Sequence, residues 1–130
     1  MRRAGNAAAL ALLTGACAAG ADRAPDTREL DALLAGRTAQ APVECVQSPS
    51  TTRIVDGVLV AMRGRTIWRN ETDAGCPGGG IDPVLILEPL AGSDQLCRND
   101  RFRTVSRGAS IPGGTCRVGR WIPYVKARSG

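Results

Sequence analysis

Five cysteines are the residues of this 130-residue chain best equipped for chemistry: Cys17, Cys45, Cys76, Cys97 and Cys116. Metal ligation, thiol nucleophilicity and disulfide formation compete for them. Zinc sites usually contain close pairs of ligands such as C-x-x-C. The last four cysteines are instead 31, 21 and 19 residues apart, and the chain has no histidine. A metal site is therefore not expected. A thiol nucleophile needs a cysteine held free and activated, and the missing histidine removes the common general base with every Ser-His-Asp or Cys-His arrangement. Disulfides remain.

Carboxylates are the other candidates for acid-base work: Asp56, Glu71, Asp73, Asp82, Glu88, Asp94 and Asp100. A glycosidase-like pair would have to face across a cleft, and a chain this small seldom encloses one. Asp100, within Arg98-Asn99-Asp100-Arg101, is expected to satisfy a turn's backbone donors or to pair an arginine. Gly78-Gly79-Gly80 lacks the following Lys-Ser/Thr and helix start of a phosphate loop, and reads as a flexible turn. Asn70-Glu71-Thr72 matches a glycosylation acceptor, but the export signal described below reads as bacterial. No catalytic residue and no cofactor are assigned.

Charge and aromatic content argue against nucleic acid as a partner. Seventeen basic residues face twelve acids, and the two signs are interspersed, as in Arg98-Asn99-Asp100-Arg101. The four aromatics, Trp68, Phe102, Trp121 and Tyr124, offer little stacking surface and no basic stripe accompanies them. Trp68, Trp121 and Tyr124 are assigned first to filling a core short of bulky side chains. Trp121 and Tyr124 would join a binding surface only if exposed.

The elements that position these residues begin after an address. Arg2-Arg3, the apolar run Ala7–Leu13 and the small residues Thr14-Gly15-Ala16 form an export signal over residues 1–16, too short for a permanent span. Its removal deletes Arg2 and Arg3 and lowers the formal charge from +5 to +3. Leu13-Thr14-Gly15-Ala16-Cys17 resembles a bacterial lipobox, with Thr14 where leucine is preferred. Cys17 is accordingly assigned as the lipid attachment point, a membrane anchor. The alternative is cleavage after Ala21 in Ala19-Gly20-Ala21, which would release a soluble periplasmic protein. Either route leaves the same four cysteines in a compartment where disulfides form.

Residues 17–42 read as a tether carrying one short amphipathic helix at 27–35. Asp26 and Glu29 have the spacing of a capping box, Leu30, Leu33 and Leu34 form one apolar stripe, and Gly36 ends the helix. A helix this short is marginal alone, so its stripe is expected to dock on the chain's own domain. Residues 36–42 are expected to be a connector.

Residues 43–126 read as strands: 58–62 and 66–69 around the Arg63-Gly64-Arg65 turn, then 84–87, 102–106, 115–118 and 121–125. Val84–Leu87 is continuously apolar and is expected to be covered on both faces. The Gly/Pro-rich segments between these runs indicate a mainly β fold, a small antiparallel barrel or sandwich. So small a domain needs stapling. The favoured pairing is Cys76–Cys97, closing a hairpin-sized excursion, with Cys45–Cys116 tying the first strand to the last region. Together they would contribute several kcal/mol by the chain-entropy argument, roughly 3 to 4 kcal/mol each.

Residues 30–125 also carry a resemblance. Leu34-Ala35-Gly36-Arg37, Glu44-Cys45-Val46, Asn70 followed by Gly75-Cys76-Pro77-Gly78, Leu96-Cys97-Arg98-Asn99-Asp100 and Cys116-Arg117-Val118-Gly119-Arg120-Trp121 resemble an uncharacterised family of small exported proteobacterial envelope proteins, often lipidated, with four cysteines. The chain departs from it at Asn99, where glycine is usual, and at Gly79. The resemblance implies location and architecture, not mechanism. The reading is a non-catalytic envelope lipoprotein binding an unidentified envelope protein or cell-wall component, through loops including Gly78, Gly79 and Gly80. A soluble periplasmic inhibitor or binding module is the second reading, and a small enzyme with an unrecognised site the third.

Overall fold

A computed structural model describes residues 26–72, 76, 83–89, 94–108 and 113–128. The signal and anchor readings, Cys17 among them, and the glycine turn at Gly78, Gly79 and Gly80 lie outside the described residues. Over the described residues the fold is mainly β, with one short helix, antiparallel sheets and two disulfides.

A single apolar run organises the molecule. Strand β4 (Val58–Arg63) has buried residues at three consecutive positions, Leu59, Val60 and Ala61. Because side chains alternate across a strand, such a run needs cover on both faces. Leu59 and Ala61 join one core with Val46, Leu96, Phe102, Cys116, Val118 and Trp121. Val60, with Val58 and Met62 beside it, joins a second core with Leu30, Val55 and Ile67. The sheet carrying β4 is therefore packed on both sides, by the other β elements on one and by the helix on the other.

That sheet has the order β1-β10-β5-β4-β3, with β1 at Arg37–Ala39, β3 at Thr51–Val55, β5 at Thr66–Asn70 and β10 at Trp121–Lys126. Its two end strands, β1 and β3, do not pair with each other, so no closed barrel forms among the described residues. Local chemistry sets two of its hairpins. Asp56-Gly57 joins β3 to β4 with φ of 47° and 76°, the doubly left-handed turn that Asp-Gly favours. Gly64, at φ 57°, opens the turn from β4 to β5. Arg37–Ala39, expected as connector, instead pairs with Tyr124–Lys126 and extends the sheet.

Two smaller sheets close the first core. Strand β2 (Cys45–Gln47) pairs with β7 (Gln95–Cys97), and β8 (Arg101–Val105) lies between β6 (Val84–Glu88) and β9 (Cys116–Arg117). The expectation that Val84–Leu87 is covered on both faces is not met: Val84 and Leu87 are exposed, and β6 pairs only with β8. The run buried on both faces is β4.

The disulfide pairing differs from the favoured one. The bonds are Cys45–Cys97 and Cys76–Cys116, replacing the expected Cys76–Cys97 and Cys45–Cys116. Strand pairing is the reason. In the β2–β7 register Cys45 stands directly opposite Cys97, with Cα atoms 4.0 Å apart. Cys116 pairs with Phe102 on the other small sheet, which leaves it for Cys76.

The helix α1 (Arg28–Leu34) docks through Leu30, as its leucine stripe implies, with Leu33 and Leu34 packed against the same core. Gly36 follows it at φ 70°. The expected capping box does not form. Asp26 accepts the Arg28 backbone N–H at 3.2 Å and pairs with the Arg28 guanidinium at 2.5 Å, while Glu29 pairs with Arg53 at 3.3 Å. The cap comes from another element: Asp56, in the β3–β4 turn, accepts the Leu30 N–H at 2.7 Å.

Candidate functional site

Cleft walls here are built from buried polar side chains that fix the backbone. Asn70, at the end of β5, is 2% exposed. Its amide nitrogen donates to the carbonyls of Gly119 and Arg120 at 3.0 and 3.3 Å. Its amide oxygen accepts the Gly119 N–H at 2.8 Å and the Thr72 hydroxyl at 2.6 Å. A Cβ on Gly119 would lie 2.0 Å from the Glu71 carbonyl oxygen, so only glycine permits this approach. The loop from β9 to β10 is thereby held against the end of β5.

The facing wall is held in the same manner. Asp100, buried, accepts the Cys97 N–H through its carboxylate at 2.7 Å and donates its own N–H to the Cys97 carbonyl at 3.1 Å. Its expected role as a turn residue is what the structure shows. Asn99 takes φ 73°, a left-handed conformation that asparagine tolerates, and donates to the Val118 carbonyl at 2.9 Å, while Val118 donates to the Asp100 carbonyl at 2.8 Å.

Between these walls lies a polar cleft of about 210 Å³ lined by Glu71, Arg98, Asn99, Arg117, Val118, Gly119 and Arg120. Three arginines and one glutamate are among the lining residues; with Glu44, which Arg98 approaches, counted in, arginines exceed carboxylates by one. Arg120 pairs with Glu71 at 3.0 Å and Arg98 approaches Glu44 at 3.8 Å. Arg117 has no ion pair or side-chain hydrogen bond among the described residues, and it stands directly across from Arg101 in the β8–β9 register. Like charges so opposed repel each other. Arg101 and Arg103 share Glu88.

The two disulfides converge on the same place. Cys97 immediately precedes Arg98, and Cys116 immediately precedes Arg117. Both arginine-bearing segments are thus covalently anchored one residue from the cleft.

Every carboxylate among the described residues is engaged. Asp26 is held by Arg28, which keeps its carboxyl below the usual carboxylate range through the side-chain hydrogen bond first and the backbone N–H second. Glu29 is held by Arg53, Asp31 by the Thr27 hydroxyl, Glu44 by Arg98 and Asp56 by the Leu30 N–H. Glu71 is held by Arg120, Glu88 by two arginines, Asp94 by the Ser48 hydroxyl and Asp100 by Cys97. No group of three or more metal-ligating residues occurs among the described residues.

Of the residues singled out for partner binding, Trp121 cannot present a surface. It is 0% exposed, and its indole N–H donates to the Leu96 carbonyl at 3.1 Å inside the core. Core filling is its role. Tyr124 is half-buried on β10, opposite Ile67 and Ala39, toward the helix-covered face and away from the cleft. Arg98, Arg117 and Arg120 were not singled out. They lie far apart or in short-strand segments, and only the fold brings them together.

A second hollow of about 400 Å³, lined by Ser48, Pro49, Thr52, Leu87, Pro89, Asp94, Gln95 and Leu96, is wider and more apolar. No helix among the described residues is long and apolar enough to cross a membrane. No known family, curated protein or solved structure matches the chain.

Proposed function

We propose that this chain is a non-catalytic cell-envelope lipoprotein, tethered through Cys17 to the periplasmic side of a membrane, whose β domain binds another envelope component. The observation that carries the proposal is the pair of disulfides. One joins the two strands of the β2–β7 sheet and the other ties β9 to Cys76, around a core with few aromatic residues, an arrangement suited to an oxidising compartment. The signal-like residues 1–16 and the cysteine that follows them support the address, as does the resemblance to exported four-cysteine envelope proteins. The engagement of all nine described carboxylates in structural contacts, in a chain without histidine, supports binding over acid-base catalysis.

Fractionation of the producing cell, with intact-mass measurement, tests the proposal. The native protein should appear in the membrane fraction with the added mass of a lipidated Cys17, and a Cys17→Ala form should leave that fraction. An unmodified protein in the soluble periplasm, beginning at Asp22, would favour the released module. A reduced protein in the cytosol would overturn both.

A further inference from the structure

The cleft between the β7–β8 turn and the β9–β10 loop combines three features that its structural role does not explain. Its lining gathers three arginines, Arg98, Arg117 and Arg120, around Glu71, and they outnumber the carboxylates Glu71 and Glu44 that engage them. Arg117 points its charge at no acid among the described residues and stands opposite Arg101. The backbone on both sides is immobilised by the buried side chains of Asn70 and Asp100, and each wall is stapled next to an arginine. A fold that needed only closure of this corner would not require like charges opposed on paired strands.

We propose that this cleft is a binding site for a phosphomonoester group. Guanidinium forks match the oxygens of phosphate in bidentate geometry. A phosphomonoester carries about −1.5 to −2 charges at neutral pH and three strong acceptor oxygens for three arginines, whereas a carboxylate brings one charge and two oxygens. The volume of about 210 Å³ is below the roughly 300–1,000 Å³ of pockets that enclose drug-sized ligands. The cleft therefore takes a headgroup-sized fragment. Arg117 contributes an uncommitted guanidinium. Arg120 and Arg98 contribute forks oriented by Glu71 and Glu44. Fixed walls lower the ordering cost of binding. Two sources could present this group at a membrane surface, a soluble phosphate ester or a phospholipid headgroup, and the chemistry of recognition is the same. The proposal deepens the envelope-module reading by naming the ligand's chemistry.

Calorimetric titration of the full oxidised chain with glycerol 3-phosphate, inorganic phosphate and acetate tests the chemistry. Co-sedimentation with phosphatidylcholine vesicles containing phosphatidic acid tests the lipid source. Saturable binding should occur to a phosphomonoester in solution or in the vesicle, at least tenfold tighter than to acetate or pure phosphatidylcholine. Arg117→Ala should weaken it at least tenfold without loss of thermal stability, since the Arg117 side chain has no ion pair or hydrogen bond among the described residues. Arg65→Ala removes the same charge at the far end of β5 and should change neither affinity. Binding to glycerol 3-phosphate identifies a soluble ligand, whereas binding only to phosphatidic acid vesicles identifies a headgroup. The proposal is overturned if no phosphomonoester saturates the protein below about 10 mM in either form, if acetate competes equally, or if Arg117→Ala and Arg65→Ala behave alike. The titration needs no anchor, so its failure leaves the Cys17 fractionation result standing, and the converse holds.

Discussion

Asn70 does at the residue scale what its place in a four-cysteine motif did not explain. In one dimension it heads a glycosylation-like tripeptide; in the fold its amide bridges to residues 49 and 50 positions away. Replacing it with alanine should leave the Gly119 N–H and carbonyl without their Asn70 partners, while the Arg120 carbonyl keeps the Glu71 N–H, at a cost of about 1–3 kcal/mol. Urea unfolding checks this, and a midpoint unchanged from the parent would contradict it. Gly119→Ala drives a Cβ into the Glu71 carbonyl and should cost about 1–3 kcal/mol through overpacking or a backbone shift, read by the same measurement. Trp121 and Asp100 were legible because their types restrict them: a large indole in an aromatic-poor chain fills the core, and an aspartate after Arg-Asn serves a turn. The arginines of the cleft were not legible, since exposed arginines look alike until strands bring them together.

Elements tell a parallel story in the helix and its cap. The leucine stripe forecast that α1 docks, and Leu30, 5% exposed, anchors it. Leu30→Ala should destabilise by about 2–5 kcal/mol and expose the 26–36 segment to limited proteolysis before global unfolding. Asp56→Ala removes the acceptor of the Leu30 N–H and should cost about 1 kcal/mol, the scale of a lost helix cap. The local sequence suggested that Asp26 and Glu29 supplied this cap, but a long-range carboxylate won. The Asp56-Gly57 turn was readable, being a strong short hairpin signal, and it was missed because the residues around it, Arg53 and Ile54 among them, alternate only weakly. Strands β1, β2 and β7, three residues each, are too short for periodicity to register, whereas β9 falls inside the strand expected at 115–118. They exist because distant partners supply their hydrogen bonds.

For the whole molecule, the class was legible and the covalent topology was not. Frequent Gly/Pro breaks and short apolar runs indicated antiparallel sheets, and scarcity of bulky residues indicated staples. Which cysteine meets which depended on β2 pairing with β7 across 52 residues, a contact without a local signature. Taken singly, bonds closing 52 and 40 residues contribute about 4 kcal/mol each by loop-closure entropy, comparable with the net stability of a small domain. Cys45→Ser with Cys97→Ser should therefore lower the melting temperature by more than about 10 °C, as calorimetry would show. An equal melting temperature would mean that packing alone holds the sheets.

That covalent frame matters most, because it anchors the arginine-lined cleft and carries the proposal of an oxidising compartment. Non-reducing peptide mapping of the protein taken from the producing cell tests it directly. The predicted result is two cross-linked peptide pairs, Cys45 with Cys97 and Cys76 with Cys116. Free thiols at these positions, or Cys76 joined to Cys97, would contradict it.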